Sequence, residues 1–179
     1  KKKCSITLEA GTSNSLTDGS SYATSSEDQK STLFSEGIVE FSGNGNLTVV
    51  SNAKHAICSD NSISIIGGNV TITGAKKDGI HSNDAFIQSG GSLNITATGD
   101  GIECEGGSIE ITGGSIITTN TAADVKGITC DSTLVISGGT INLTISGNQS
   151  KGIKSAQKMT LSGGTIVINT SGAAVLEAS

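Results

Sequence analysis

Proline, tryptophan and arginine are absent from this 179-residue chain, and three Phe and one Tyr are its whole aromatic content. A core of the ordinary globular kind leans on large aromatic and aliphatic side chains, so that design is excluded. No apolar run is long enough to cross a bilayer, no signal-peptide core is present, and membrane insertion is not expected. The formal net charge of −5 and a pI near 4.9 exclude nucleic acid as a partner, because phosphate binding needs a basic footprint. Disorder is excluded as well, since the apolar residues that are present recur with regular spacing. They are mostly Ile, Leu and Val set among Ser, Thr, Asn and 25 Gly, a mixture suited to pleated strands and tight turns.

The spacing is that of a repeat. Glycine pairs end short apolar runs at Gly67-Gly68, Gly90-Gly91, Gly113-Gly114, Gly138-Gly139 and Gly163-Gly164, at intervals of 23, 23, 25 and 25 residues. A second marker, Ile followed two residues later by Ser or Cys, keeps step at Ile57/Ser59, Ile80/Ser82, Ile102/Cys104, Ile128/Cys130 and Ile153/Ser155. In the second unit the pattern predicts strands over 79–83, 85–88 and 92–97, the last alternating cleanly between apolar and polar residues. One three-strand unit cannot bury its own apolar face, so the units must stack. The fold expected is an all-β, right-handed, single-stranded parallel β-helix of about seven rungs. Each rung takes 22–26 residues and three short strands.

The whole of 1–179 reads as one domain. An irregular first rung and cap occupy 1–35, with polar 14–30 a loop or irregular rung that shields the open edge, regular rungs run over 36–172, and 173–179 start a further rung. The chain reads as a mature segment or fragment that continues past Ser179, with solenoid ends open to self-association. Stacking predicts ladders: the five isoleucines form one internal column, and Ser59, Ser82, Cys104, Cys130 and Ser155 a small-residue column beside it. Cys104 and Cys130 are then neighbours, read as stacked thiols although a disulfide is geometrically open to them. Cys58 lies one residue out of phase and is expected to face outward.

Acidic residues gather beside the Gly-Ile corner. Asp78 and Asp100 share a phase two residues before the column Ile, about one rung apart, where two carboxylates repel unless a cation lies between them. Glu103 and His81 share the next outward phase, and Asp60, Asp84, Glu105 and Asp131 follow the small-residue column. Hard oxygen donors on adjacent rungs are what Ca²⁺ takes, so Asp78, Asp100, Glu103, Asp84 and Glu105 are its candidate ligands. The plainer reading is a set of solvated corner residues. His81 stands alone and reads as a surface residue; His55 and Cys58 are close in sequence, but no repeated ligand pair makes them a zinc site. Several Asn-X-Ser/Thr matches follow from strand alternation alone and carry no weight.

The opening Ile6-Thr7-Leu8 through Leu16-Thr17-Asp18-Gly19-Ser20-Ser21-Tyr22, then Leu33-Phe34-Ser35, Lys77-Asp78-Gly79-Ile80 and Gly99-Asp100-Gly101-Ile102, resembles a family of bacterial cell-surface β-helix proteins described as carbohydrate-binding domains. The resemblance covers nearly the whole chain. It implies an extracellular or cell-surface location, a polysaccharide partner, calcium at acidic corners and similarity to the family 9 polysaccharide lyases. Lys126 and Lys151 replace the stacked Asp in the later units, and aromatic platforms for neutral sugars are nearly missing. Lys126, Lys151, Lys154 and His81 are therefore the expected sugar contacts, and an acidic, uronate-containing glycan is the expected ligand. A calcium-dependent lyase with Lys126 as its base is the alternative. A structural or adhesive solenoid that binds no sugar is the third reading.

Overall fold

The computed structural model describes residues 2–24, 26 and 30–178, and their regular structure is all strand. The first rung holds β1 (Lys3–Leu8), β2 (Ser13–Thr17) and β3 (Ser31–Ser35); the second, β4 (Ile38–Gly43), β5 (Asn46–Ser51) and β6 (His55–Ser59). The third holds β7 (Ser62–Ile65), β8 (Asn69–Ala75) and β9 (Ile80–Ser82); the fourth, β10 (Ala85–Gln88), β11 (Ser92–Ala97) and β12 (Ile102–Cys104). The fifth holds β13 (Ser108–Ile111), β14 (Ser115–Asn120) and β15 (Lys126–Cys130). In the last two, β16 (Thr133–Ile145) and β18 (Lys158–Thr170) run unbroken through the glycine corner, followed by β17 (Lys151–Ser155) and β19 (Leu176–Ala178).

Each strand pairs in parallel with the equivalent strands of the rungs next to it, which makes the chain a parallel β-solenoid. Seven third-face strands stack in the order β19-β17-β15-β12-β9-β6-β3, so about six turns separate the first from the last. The glycine pairs mark the corner between the first and second faces. The second glycine of each pair adopts a left-handed backbone, from φ 65° at Gly91 to 86° at Gly68, a conformation that favours glycine.

The interior is built of in-register columns. Ile57, Ile80, Ile102, Ile128 and Ile153 are partners from rung to rung and fully buried. Ser59, Ser82, Cys104, Cys130 and Ser155 form the predicted small column beside them. All four cysteines are free, and burial pushes the Cys104 and Cys130 thiols above their usual range, which makes them poor nucleophiles. Cys58 takes the expected outward phase, between Phe34 and His81, yet is fully buried, which corrects the expectation of an exposed thiol. Its two column neighbours are bulkier and lie one rung away on either side, so the small thiol sits in the trough between them.

The polar segment over 14–30 divides between the two readings given to it, rung at its start and loop after. Residues as far as Thr17 pair with β5, and the connection proper starts at Asp18; residues 25 and 27–29 lie outside the described part. Asp18 ties this connection to the second rung. Its carboxylate accepts hydrogen bonds from the Tyr22 hydroxyl (2.6 Å), the Ser51 hydroxyl (3.1 Å) and the Asn52 amide. Burial alone would raise its pKa, but these bonds to the ionised form outweigh it and hold the group below the usual range. Asp18→Ala is expected to cost about 1–3 kcal/mol in chemical denaturation at pH 7. Because the folded pKa is depressed, this stabilisation is present above the unfolded value near 3.9 and is lost as pH falls through the folded one. The gap between wild type and variant should therefore close in acid; a gap constant from pH 7 to pH 2 would refute the ionic part.

Candidate functional site

The chemistry sits along the third face. Its strands are only three to five residues long. They place three columns side by side when residues are counted from the buried isoleucine. One residue after it, in register, run Phe34, Cys58, His81, Glu103, Thr129, Lys154 and Glu177. Two residues before it, at the corner, stand His55, Asp78, Asp100, Lys126 and Lys151. Three residues before it stand Lys30, Lys54 and Lys77, linked backbone to backbone by the Lys54 carbonyl accepting from the Lys77 amide (3.0 Å).

At the corner each aspartate serves the rung after it. The Asp100 amide donates to Asp78 Oδ1 at 2.7 Å, and the Lys126 amide donates to Asp100 Oδ1 at 2.6 Å. These bonds satisfy amides that the turn leaves without a carbonyl partner, which accounts for one oxygen of each carboxylate. The other oxygens do something else. Asp78 Oδ2 lies 2.9 Å from His55 Nδ1 and 3.6 Å from His81 Nδ1. His81 Nδ1 also meets Glu103 Oε2 at 2.9 Å, and its Nε2 lies 3.4 Å from Glu105 Oε2. The two imidazole rings face one another with centroids 4.4 Å apart. His81 is thus far from alone, which corrects the reading of it as an isolated surface residue.

Burial opposes ionisation of Asp78, but the hydrogen bonds from His55 and His81, the His55 charge and the Asp100 amide outweigh it, and its pKa falls well below the carboxylate range. Burial would lower His81 too, and its bonds to Asp78 and Glu103 instead raise it to about 9. Asp100 goes the other way. Burial raises it to about 7, against the Lys126 amide bond and with further help from the negative charge of Asp78. Asp100 is 9 % exposed, and its second oxygen has no hydrogen-bond donor among the described residues. Carboxylate oxygens of Asp78, Asp100 and Glu103 lie within 4.8 Å of one another, as do the donor atoms of His55, Asp78 and His81.

Beside these groups runs a groove of about 690 Å³, whose lining includes Lys30, Lys54 and Lys77 together with His55, His81, Glu103 and Glu105. Lys30 ion-pairs with Asp60 at 2.7 Å, and the Lys54 ammonium lies 6.0 Å from the centre of the Tyr22 ring. A second hollow, of about 420 Å³ at the Gly67-Gly68 corner, has no ionisable side chain in its lining.

The residues singled out in the sequence divide three ways. Asp78, Asp100 and Glu103 come together, with Glu105 at the margin, its side chain 66 % exposed. Asp84 lies at the next corner, where its carboxylate accepts from Asn61 Nδ2 at 2.8 Å, apart from the cluster. The Lys126 ammonium donates to the Asp124 carbonyl at 2.7 Å, while Lys151 and Lys154 share Glu177 at 3.6 and 3.4 Å. Of the expected sugar contacts, His81 alone lines the groove. Sequence reasoning weighed His55 only beside Cys58 and set it aside, and it missed the Lys30, Lys54 and Lys77 column; counting back from the column isoleucine, or from Leu33 in the first rung, finds all four.

A family model described as carbohydrate-binding domain-containing protein matches residues 1–179. Among solved structures the chain is similar to a polysaccharide lyase-like protein from C. thermocellum, solved as a gadolinium derivative, with 28% identity and a TM-score of 0.62. The match covers 98% of this chain and 65% of that one, so the chain spans less than two thirds of its neighbour's length. No curated protein matches the sequence.

Proposed function

Because the chain belongs to the carbohydrate-binding domain-containing family, we propose that it is an extracellular module that holds an acidic, uronate-bearing polysaccharide in the third-face groove with the help of Ca²⁺. The observation that carries this reading is the lysine column. Lys30, Lys54 and Lys77 occupy one phase on three adjacent rungs, and all three line the groove. Rungs repeat at about 4.8 Å, so the three stems bring a row of positive charge to one strip of surface; Lys30 already pairs with Asp60, and a polyanion lying across the strip would add counter-charge along the row. A polymer with one carboxylate per sugar ring supplies such a row of charges, since a pyranose is about as long as a rung is thick.

The donor set fits a hard cation. Asp78, Asp100 and Glu103 offer oxygens within 4.8 Å of one another, and Asp100 keeps an oxygen with no donor in a site that is nine-tenths buried. Three carboxylates fall short of the six to eight oxygens that Ca²⁺ takes, which leaves places for water and for a sugar carboxylate. Bound there, the ion would neutralise the carboxylates and link them to the glycan. The lyase reading asks for an unprotonated base over the sugar. Lys126 instead points its ammonium to the Asp124 carbonyl, 3.5 Å from the Asp124 carboxylate.

Titration with polygalacturonate in Ca²⁺ and then in chelator tests the proposal. Binding in Ca²⁺ is expected to weaken at least tenfold in chelator, and about tenfold in Lys54→Ala/Lys77→Ala. Equal retention of a neutral glucan, or calcium-independent binding, would overturn it. Growth of the unsaturated-uronate absorbance would make the protein a lyase.

A further inference from the structure

We propose that His55, Asp78 and His81 form a site for a borderline divalent metal of the zinc class, separate in donor chemistry from the all-oxygen set around Asp100. The proposal uses the same ledge but does not rest on polysaccharide binding. Three side chains from two adjacent rungs converge here. His55 opens β6, Asp78 holds the corner before β9, and His81 lies in β9 one residue past its isoleucine. Both Nδ1 atoms face a single oxygen, Asp78 Oδ2, at 2.9 and 3.6 Å.

Those separations are the edges of a coordination polyhedron. Zinc binds imidazole nitrogen and carboxylate oxygen at about 2.0–2.2 Å in tetrahedral geometry, which sets donor atoms roughly 3.3 Å apart. The two observed distances bracket that value, and all three donor atoms lie within 4.8 Å of one another. An ion would need only small side-chain adjustments: His55 and His81 sit on short strands paired to neighbouring rungs, and Asp78 is held at the corner by the Asp100 amide, so their placement is fixed before binding. Imidazole suits Zn²⁺, Ni²⁺ and Co²⁺ and is a poor donor to Ca²⁺, which prefers oxygen throughout. Access is through the groove, where His55 and His81 line the wall with side chains 7% and 12% exposed. Glu103 Oε2, 2.9 Å from His81 Nδ1, stands where a fourth ligand or the partner of a bound water belongs.

Sharing Asp78 makes the two cation sites antagonistic. Zinc held by the imidazoles should displace calcium from the Asp78, Asp100 and Glu103 oxygens, and the reverse at high calcium.

The test uses the full chain with the exposed Cys4 replaced by Ser, stripped with chelator, and titrated calorimetrically with ZnCl₂. One ion per chain is expected, with affinity falling at least about tenfold in His55→Gln and in His81→Gln. Asp100→Asn, outside the set, should keep zinc affinity within about threefold while losing the calcium dependence of polygalacturonate binding. Co²⁺ added to the protein with both histidines intact gives a readout independent of whether those variants fold. Strong visible d–d bands without a thiolate charge-transfer band are expected from nitrogen and oxygen ligands in a tetrahedral site. Zinc bound with unchanged affinity in His55→Gln/His81→Gln, a stoichiometry near zero, or a thiolate band that assigns the ion to Cys58 would each overturn the proposal. None of those results bears on calcium-dependent glycan retention, so the two readings fail separately.

Discussion

Asp78→Ala is expected to lower the unfolding free energy by about 3–5 kcal/mol, the range for removing one partner from a buried charged network. The residue is 8 % exposed; the Asp100 amide donates to its Oδ1, His55 Nδ1 lies 2.9 Å from its Oδ2, and His81 Nδ1 lies 3.6 Å from the same oxygen. Alanine would leave the Asp100 amide without an acceptor and two enclosed imidazoles without their shared carboxylate. In a chain of this length the loss corresponds to a fall in Tm of roughly 10 °C. Asp78→Asn keeps an oxygen for the amide and gives up the charge, so it should cost clearly less. Denaturant unfolding of both variants in chelator measures the protein network without any bound ion. A loss below about 1 kcal/mol for the alanine variant would mean that the corner amide and the imidazoles find other partners, and that the cluster is not a coupled unit.

Gly101→Val should be still more damaging, above about 4 kcal/mol, and is expected to abolish the cooperative transition of the central rungs. Gly79, Gly101, Gly127 and Gly152 hold one position, just before the column isoleucine, on four successive rungs. There the backbone turns so close to its neighbours that a Cβ on Gly101 would lie 2.4 Å from the Gly127 carbonyl oxygen and 2.9 Å from Thr118 Cγ2. One of those contacts is rigid backbone in the adjoining rung, so the strain cannot be relieved by rotating a side chain. Gly101→Ala, with a single methyl, is expected to cost about 1–3 kcal/mol. Far-UV circular dichroism during urea unfolding separates the two. A valine variant that unfolds at the wild-type midpoint would show that the corner yields more readily than its packing implies.

The ladders were legible in the sequence because a strand alternates with period two and a solenoid repeats its phase. Fixing one column isoleucine therefore fixed the small-residue column, the outward column and the pairing of Asp78 with Asp100. Corners have no such period. Asp84 and Glu105 look equivalent in sequence, yet Asp84 lies four residues past its isoleucine and Glu105 three, and the turn sends them to different partners. Lys126 shares the corner phase of Asp100. Its side chain follows the adjacent turn, where Asp124 takes a left-handed φ of 58° and offers its carbonyl to the ammonium. His55 was set aside for another reason. Its rung reads His-Ala-Ile where later rungs read Asp-Gly-Ile or Lys-Gly-Ile, so the motif was hidden although the phase was unchanged.

The corner column runs His55, Asp78, Asp100, Lys126, Lys151, passing from imidazole to carboxylate to ammonium in single-rung steps. Apart from Lys126, which turns to Asp124 in its own connection, these side chains lean on the rung directly before or after them, as nearest-neighbour stacking dictates. The corner column therefore behaves like a row of type in which each letter can be reset only at the cost of the contacts it made with its neighbours. A substitution at this phase rewrites which ion or sugar group is met at that height, while the isoleucine and glycine columns beside it keep the spacing. Divergence among solenoids of this kind can then alter ligand chemistry one rung at a time, at a stability cost set by the neighbours each exchanged side chain held.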